Sequence, residues 1–347
     1  MHTEMAHLLR HAYDHPDCGE VLYSANSAET ASARLNALPW WDWTPVRTHF
    51  AGGGVSTCMF AQAFGCEEVE VDGRPWIVPR ITDPAQVADL PAPGPEDGWP
   101  GQVLRHVTET APTLPPGELI RCPDIQSPLG VAELLWDDSF YVALYEAPDA
   151  VHDLLDRITR YQIAYLGELQ ARLGDRLNPC GFPALWADGT GTMVADDSMS
   201  LVSPAMHAEF SVPYINRIVE AAGPLYYHSC TWREQYFDNL RSMPAPRSAN
   251  FNMECSCDPA VIMEAFAGWT VLTPHLVIDM HKANDMMALD YEFRDEVDIV
   301  AYFLDRKPTA CTLYFWLSNI VQKGDTLERI YQLFHERGHS PQARGLA

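Results

Sequence analysis

Pro224-Leu225-Tyr226-Tyr227-His228-Ser229-Cys230 is an apolar run that ends in an imidazole and a thiol two residues apart. Read as a buried β-strand, it points His228 and Cys230 to the same side, where both can reach one metal ion at the strand's end. The segments around it alternate between strand and helix patterns. Upstream, Glu118 to Cys122 and Ala184-Leu185-Trp186 read as strands. Ala150 to Leu173 reads as a long helix, with Val151, Leu154, Leu155, Ile158, Tyr161, Ala164 and Tyr165 close to a 3.6-residue period. Pro148-Asp149 opens that helix and Gly174 closes it. Pro204 to Ala222 is a further helix, with Ser203 as its N-cap.

Downstream the same alternation continues. Helix Arg233 to Met243, strand Ala249 to Cys255 and helix Pro259 to Ala267 come first. Strand Thr270 to Ile278, helix Tyr291 to Asp305, strand Thr309 to Leu317 and helix Thr326 to Arg337 complete the series. Such a pattern predicts parallel strands covered by helices. No strand is followed by the glycine-rich phosphate fingerprint of dinucleotide folds, so a (β/α)8 TIM barrel fits better than an open sheet. Residues 1–347 are read as one barrel domain. Residues 1–100 form an N-terminal helical and hairpin extension, with a turn at Asp72-Gly73 and a proline-rich loop from Leu90 to Pro100.

Composition narrows the function classes. An apolar fraction of 47% and a charged fraction of 20% describe a globular protein with ample core. No apolar stretch reaches the roughly 18 residues of a membrane span, and Met1 to Ala6 lacks the cationic start of a secretory signal, so a cytoplasmic location is expected. Nine scattered cysteines argue for reduced thiols rather than a disulfide framework. A net charge of −24 repels phosphate backbones and excludes nucleic acid and anionic membranes as expected partners. A small-molecule substrate remains, and a barrel of this size is compatible with a homodimer.

In a barrel the strand ends that feed the following helices carry the chemistry. His228 and Cys230 sit at one such end, and Glu254-Cys255-Ser256-Cys257 at the next in sequence. Neighbouring strands lie about 4.8 Å apart, so Cys255 and Cys257 are candidate partners in one zinc site; Glu254 and His281 rank lower. Cys18, Cys58, Cys66, Cys122, Cys180 and Cys311 read as core or surface residues without ligand spacing. Asp196-Asp197, ahead of the helix cap Ser203, are candidate catalytic acids or bases; the competing reading is solvated charge at a helix start. Asp188, Trp186 and Tyr227 are candidate substrate contacts at the barrel mouth.

Several stretches together resemble the uroporphyrinogen decarboxylase superfamily, which includes zinc-dependent methyltransferases acting on methylated corrinoids. They are Cys122 to Leu129, Leu144 to Leu155, Leu201-Val202-Ser203-Pro204 with Glu209-Phe210 and Pro213, Tyr227 to Cys230, and Gly324 to Ile330. The resemblance runs from about residue 120 to the end, and more weakly through 55 to 95. It implies a barrel with its site at the mouth and, in the methyltransferase branch, zinc held by the His-x-Cys pair and a later cysteine. Where that cysteine is expected this chain has Ser318-Asn319-Ile320, which turns attention to Cys255 and Cys257. The decarboxylase branch binds carboxylates through an arginine-rich N-terminal segment, whereas Arg10, Arg34 and Arg47 are isolated here. The reading that follows is a zinc methyltransferase serving a corrinoid-linked partner on a separate chain. Its rivals are a metal-independent decarboxylase or lyase of a small aromatic or tetrapyrrole-like acid, and a non-catalytic ligand-binding relative.

Overall fold

The computed structural model describes residues 2–24, 48–50, 57–181, 187, 191–276, 292–317 and 323–339. Its strands are β1 (Val21–Ser24), β2 (Thr48–Phe50), β3 (Glu67–Val71), β4 (Arg74–Val78), β5 (Leu119–Arg121) and β6 (Leu177–Asn178). They continue with β7 (Thr192–Ala195), β8 (Leu225–Ser229), β9 (Ser248–Asn252), β10 (Val271–His275) and β11 (Leu313–Trp316).

Six of these form one sheet in the order β1-β11-β10-β9-β8-β7, and every pairing in it is parallel. All five residues of β8 are buried, as a strand covered on both faces requires. A second parallel sheet has the order β2-β5-β6. Just beyond β5, Gln126 makes a parallel bridge to Ala195 at the end of β7. There the Ala195 N–H donates to the Ile125 carbonyl and the Ser127 N–H to the Ala195 carbonyl, each at 2.7 Å. The architecture is thus mixed α/β, with parallel strands and connecting helices. Among the described residues no helix is long and apolar enough to cross a membrane.

The long helix runs Pro148–Leu173 and buries Val151, Leu154, Leu155, Ile158, Tyr161 and Tyr165, the stripe expected from its period. At the hairpin, Asp72 and Gly73 adopt φ values of 50° and 74° between β3 and β4, the left-handed pair of a type I′ turn. Other elements differ from expectation for local reasons. The helix expected from Pro204 to Ala222 is two helices, Pro204–Phe210 and Val212–Ala222, because Pro213 has no N–H to continue the first ladder. Arg233 to Met243 holds a 3-10 turn, Glu234–Tyr236, before a short helix, Phe237–Ser242. The strand expected to reach Cys255 stops at Asn252, and Met253–Cys255 is a 3-10 turn. The last strand starts at Leu313, so Cys311 is buried ahead of it. Two strands, β1 and β7, carry too few residues for a periodic signal, yet β1 pairs along its whole length with β11. The strand expected over Ala184-Leu185-Trp186 lies outside the described residues.

Gly181 shows how tightly the chain is drawn around the end of β5. A Cβ at this position would meet the carbonyl oxygens of Cys122 and Pro123, the latter at 2.8 Å. Both are backbone atoms that cannot step aside independently. We expect Gly181→Ala to destabilise the fold by about 1–3 kcal/mol; an unchanged denaturant midpoint would show that this loop has room to relax.

Candidate metal centre

The strand β8 delivers His228 and, one residue past its end, Cys230 to the same side. His228 pairs in register with Asn250 of β9, and Asn250 with Thr273 of β10. The Asn250 amide nitrogen donates to the Thr273 carbonyl, which turns the amide oxygen toward His228. That oxygen accepts a hydrogen bond from the His228 Nδ1–H. The other ring nitrogen, Nε2, therefore faces Cys230 Sγ at 3.5 Å and Asp197 Oδ1 at 3.4 Å. A histidine whose Nδ1–H is anchored in this way presents Nε2 as a metal donor in a defined orientation.

Asp197 opens the 3-10 turn Asp197–Leu201 that follows β7. Its Oδ1 accepts the backbone N–H of Cys230 at 2.7 Å, which ties the exit of β7 to the exit of β8. Asp197, His228 and Cys230 have their donor atoms within 4.8 Å of one another, the one such grouping of three among the described residues. Burial raises the Asp197 carboxyl, but hydrogen bonding and charge from His228, with the Cys230 N–H, hold it down at about 2. Burial lowers His228, but Asp197, with the Asn250 hydrogen bond and the charge of Asp124, more than offsets this, so its pKa lies above the ordinary imidazole value. Burial, then Asp197, Cys255 and Asp124, push the Cys230 thiol far above its usual range. A nitrogen, a sulfur and an oxygen donor converge here, a set that suits zinc or a similar borderline cation.

Asp196 faces the other way. It is fully buried, and its carboxylate accepts from His207 Nε2 at 2.8 Å, from the Ser211 hydroxyl at 3.0 Å and from the Tyr227 hydroxyl at 3.1 Å. His207 Nδ1 in turn accepts from the Asn239 amide nitrogen at 3.1 Å, which places the ring proton on Nε2. Asp196 and Tyr227 thus brace β7, β8 and the helix Pro204–Phe210 beneath the centre. Cys255 is half-buried and close enough to Cys230 to raise its thiol. The Cys257 N–H donates to the Trp232 carbonyl at 2.8 Å, and its half-buried side chain lines a separate cavity of about 650 Å³ with Ser200, Thr231, Arg233 and Glu234. Neither cysteine belongs to the three-donor grouping. Asp188, Trp186, His281, Ser318-Asn319-Ile320 and the side chain of Glu254 lie outside the described residues.

Three neighbours escaped sequence reasoning. Asn250 is recognisable only once the strand register is known. His275 at the end of β10 donates from Nδ1 to Asn252 Oδ1 at 2.8 Å and stacks on Trp316, with ring centroids 5.7 Å apart. Burial, then the charge of His228, lower its pKa to about 4. Asp124 lies within the Cys122 to Leu129 stretch, and its charge is felt by both His228 and Cys230. Burial pushes it up to about 6, with Asp197 adding to the rise and His228 and Gln126 opposing it.

No family model matches the chain, and no curated protein matches it in sequence. The chain is similar in fold to a methyltransferase from Methanosarcina mazei. The two share 13% identity, over 94% of this chain and 98% of the other, with a TM-score of 0.61. A 2,3-dimethylmalate lyase of the PEP mutase/isocitrate lyase superfamily follows at 11% identity, over 96% and 87% of the two chains. Its TM-score of 0.33 is too low to carry an argument. At these identities the likeness concerns the fold alone.

Removing Asp196 strands three buried donors at once. We expect Asp196→Ala to lower unfolding free energy by on the order of 3 kcal/mol, as loss of one member of a buried polar network does. Urea denaturation measures this, and a loss below about 1 kcal/mol would contradict the bracing role.

Proposed function

We propose that the protein is a zinc-dependent methyltransferase on a closed (β/α)8 barrel of the uroporphyrinogen decarboxylase-like kind, moving a methyl group to or from a corrinoid-linked partner. The observation that carries the reading is the convergence of Asp197, His228 and Cys230 within 4.8 Å at the ends of two adjacent parallel strands. Three protein donors are the pattern of catalytic rather than structural zinc sites. Asp197 takes the place of the cysteine that the resemblance puts near Asn319. Barrel closure is supported by the Gln126–Ala195 bridge, which brings the strands of the second sheet to the β7 edge of the first. Methyl transfer is supported by the motif resemblance and by the fold shared with the Methanosarcina mazei protein.

Zinc held there supplies the Lewis acidity that keeps a protic nucleophile deprotonated near neutral pH. The chain's own residues prepare the site. Asn250 and Thr273 fix the His228 ring, and the Cys230 N–H holds Asp197 in place. His275, with its lowered pKa, adds no positive charge at neutral pH. Trp316 beside it offers a flat apolar wall.

Metal analysis of purified protein decides the first step. We expect one zinc per chain in the wild type and at least tenfold less in a His228→Ala, Cys230→Ser double variant. Equal zinc in the two would falsify the assignment. The methyl transfer itself is followed with methylcobalamin and 2-mercaptoethanol: the thiolate sulfur gains the methyl group as the Co–C bond breaks, leaving cob(I)alamin and a thioether. Absence of that spectral change with zinc-loaded protein and a free corrinoid donor would count against corrinoid chemistry.

Metal uptake should also depend on pH with a definite sign. Cys230 must lose its proton to serve as a ligand, and its pKa in the metal-free site is raised, so the thiol is protonated across the neutral range. His228, also raised, adds protons at the acidic end. Apparent zinc affinity is therefore expected to rise from pH 6 to pH 8, by about tenfold per unit for each proton displaced. A competition titration with a chromophoric chelator measures this, and a flat or falling profile would contradict it.

A further inference from the structure

The turn that carries Asp197 is held from behind by a helix with no part in the centre described so far. This helix, Pro128–Leu135, is opened by Ser127, whose hydroxyl accepts the Gly130 N–H at 3.1 Å. The Ser127 N–H donates in turn to the Ala195 carbonyl, so the start of the helix is fixed to the strand that delivers Asp197. From there the helix passes against the 3-10 turn Asp197–Leu201: a Cβ on Gly130 would come within 3.4 Å of the Ser198 hydroxyl oxygen. Glu133 lies three residues further on, on the same face of the helix as Gly130.

Glu133 is half-buried, and each of its carboxylate oxygens accepts from a hydroxyl. Ser198, buried and next to Asp197 in sequence, donates to Oε2, and Tyr141 donates to Oε1 at 2.6 Å. A hydrogen bond to a carboxylate is roughly twice as strong as one between neutral groups, so the Ser198 hydroxyl is a firm tie. The turn receives no side-chain cap from Asp196, whose carboxylate is taken up by His207, Ser211 and Tyr227. Glu133 supplies the anchor instead. On the other side, Asp197 Oδ1 accepts the Cys230 N–H at 2.7 Å and faces His228 Nε2 at 3.4 Å. The dipeptide Asp197-Ser198 is thus held at both ends, by Cys230 through the carboxylate and by Glu133 through the hydroxyl.

We propose that Glu133 is a positioning residue of the centre: acting through Ser198, it holds the turn so that the Asp197 carboxylate meets the metal that His228 and Cys230 bind. Glu133 itself is not one of the three converging donors. It acts from outside the coordination sphere, where a hydrogen-bond partner changes metal affinity by about 10–100-fold. Without the tie, the Ser198 hydroxyl loses its acceptor and the turn is free to carry Asp197 off the centre. The metal is then left with two protein donors, an imidazole and a thiolate. The inference rests on the metal reading of the previous section, and adds to it that the third donor depends on a helix that supplies no ligand.

The test measures zinc(II) and cobalt(II) affinity of the full-length protein by competition with a chromophoric chelator, together with the cobalt d–d spectrum, which reports the donors that hold the ion. We expect Glu133→Ala to weaken binding by about tenfold or more and to give the cobalt spectrum of Asp197→Ala rather than that of the wild type. Adding Glu133→Ala to Asp197→Ala should cost nothing further, because no carboxylate is left to place, whereas a general loss of stability would add to it. Glu133→Gln should keep the wild-type spectrum and an affinity within about threefold, since its amide oxygen accepts from Ser198 and its nitrogen donates to the Tyr141 oxygen. Ser198→Ala removes the donor of the same bond, should match Glu133→Ala, and serves if that variant does not fold. Wild-type affinity and spectrum in Glu133→Ala, or an additive penalty in the double variant, would overturn the role of Glu133. A wild type that takes up no metal, or an Asp197→Ala variant that binds it as the wild type does, would overturn the centre and this assignment with it. Those two controls, measured beside the Glu133 variants, tell the failures apart.

Discussion

The register of four parallel strands sets everything at the centre. Ala195 pairs with His228, His228 with Asn250, and Asn250 with Thr273, one row across β7, β8, β9 and β10. Because side chains alternate faces along a strand, a slip of one residue in any pairing would turn its member of the row to the opposite side. The row converts a polar pattern spread over about eighty residues of sequence into a connected chain of hydrogen bonds from Thr273 through Asn250 to His228. Asp196 and Asp197 follow directly after the row's first member. One is drawn down into the buried network with His207, Ser211 and Tyr227, and the other is left facing His228 and Cys230.

The electrostatics of the site follow from that packing. Asp197 and Asp124 both act on His228, and neither has a lysine or arginine among the groups that shift it. A half-buried pair of carboxylates, with one imidazole as the cation among the groups that shift them, would be balanced further by a divalent cation. The same argument explains why Cys230 is a poor free nucleophile. With Asp197 beside it and burial around it, the thiol resists ionisation unless a positive charge arrives.

Much of the fold was legible in the sequence because long apolar periodicities are local. The helix Pro148–Leu173 and the strands β8 and β10 follow directly from spacing and composition. Shorter elements were not legible. The four-residue strands β1 and β7 are too brief to show a period, and their identity comes from partners far away in sequence. Strand β9 was placed, but its end was not, since nothing local in Met253-Glu254-Cys255 distinguishes a strand from a turn. That single boundary matters: it carries Cys255 and Cys257 past the sheet edge on which His228 and Asn250 stand.

By itself the sequence determined the alternation of parallel strands and helices and the His-x-Cys pair at a strand end, because two-residue spacing on a buried strand admits one geometry. It also marked Asp196 and Asp197 as a pair. Only the tertiary structure decided which of the two faces the centre, since that depends on where His207, Ser211 and the Cys230 N–H come to lie. That Asp197, rather than Cys255 or Cys257, groups with His228 and Cys230 was likewise tertiary, for it rests on the distance between chain segments that no local pattern encodes.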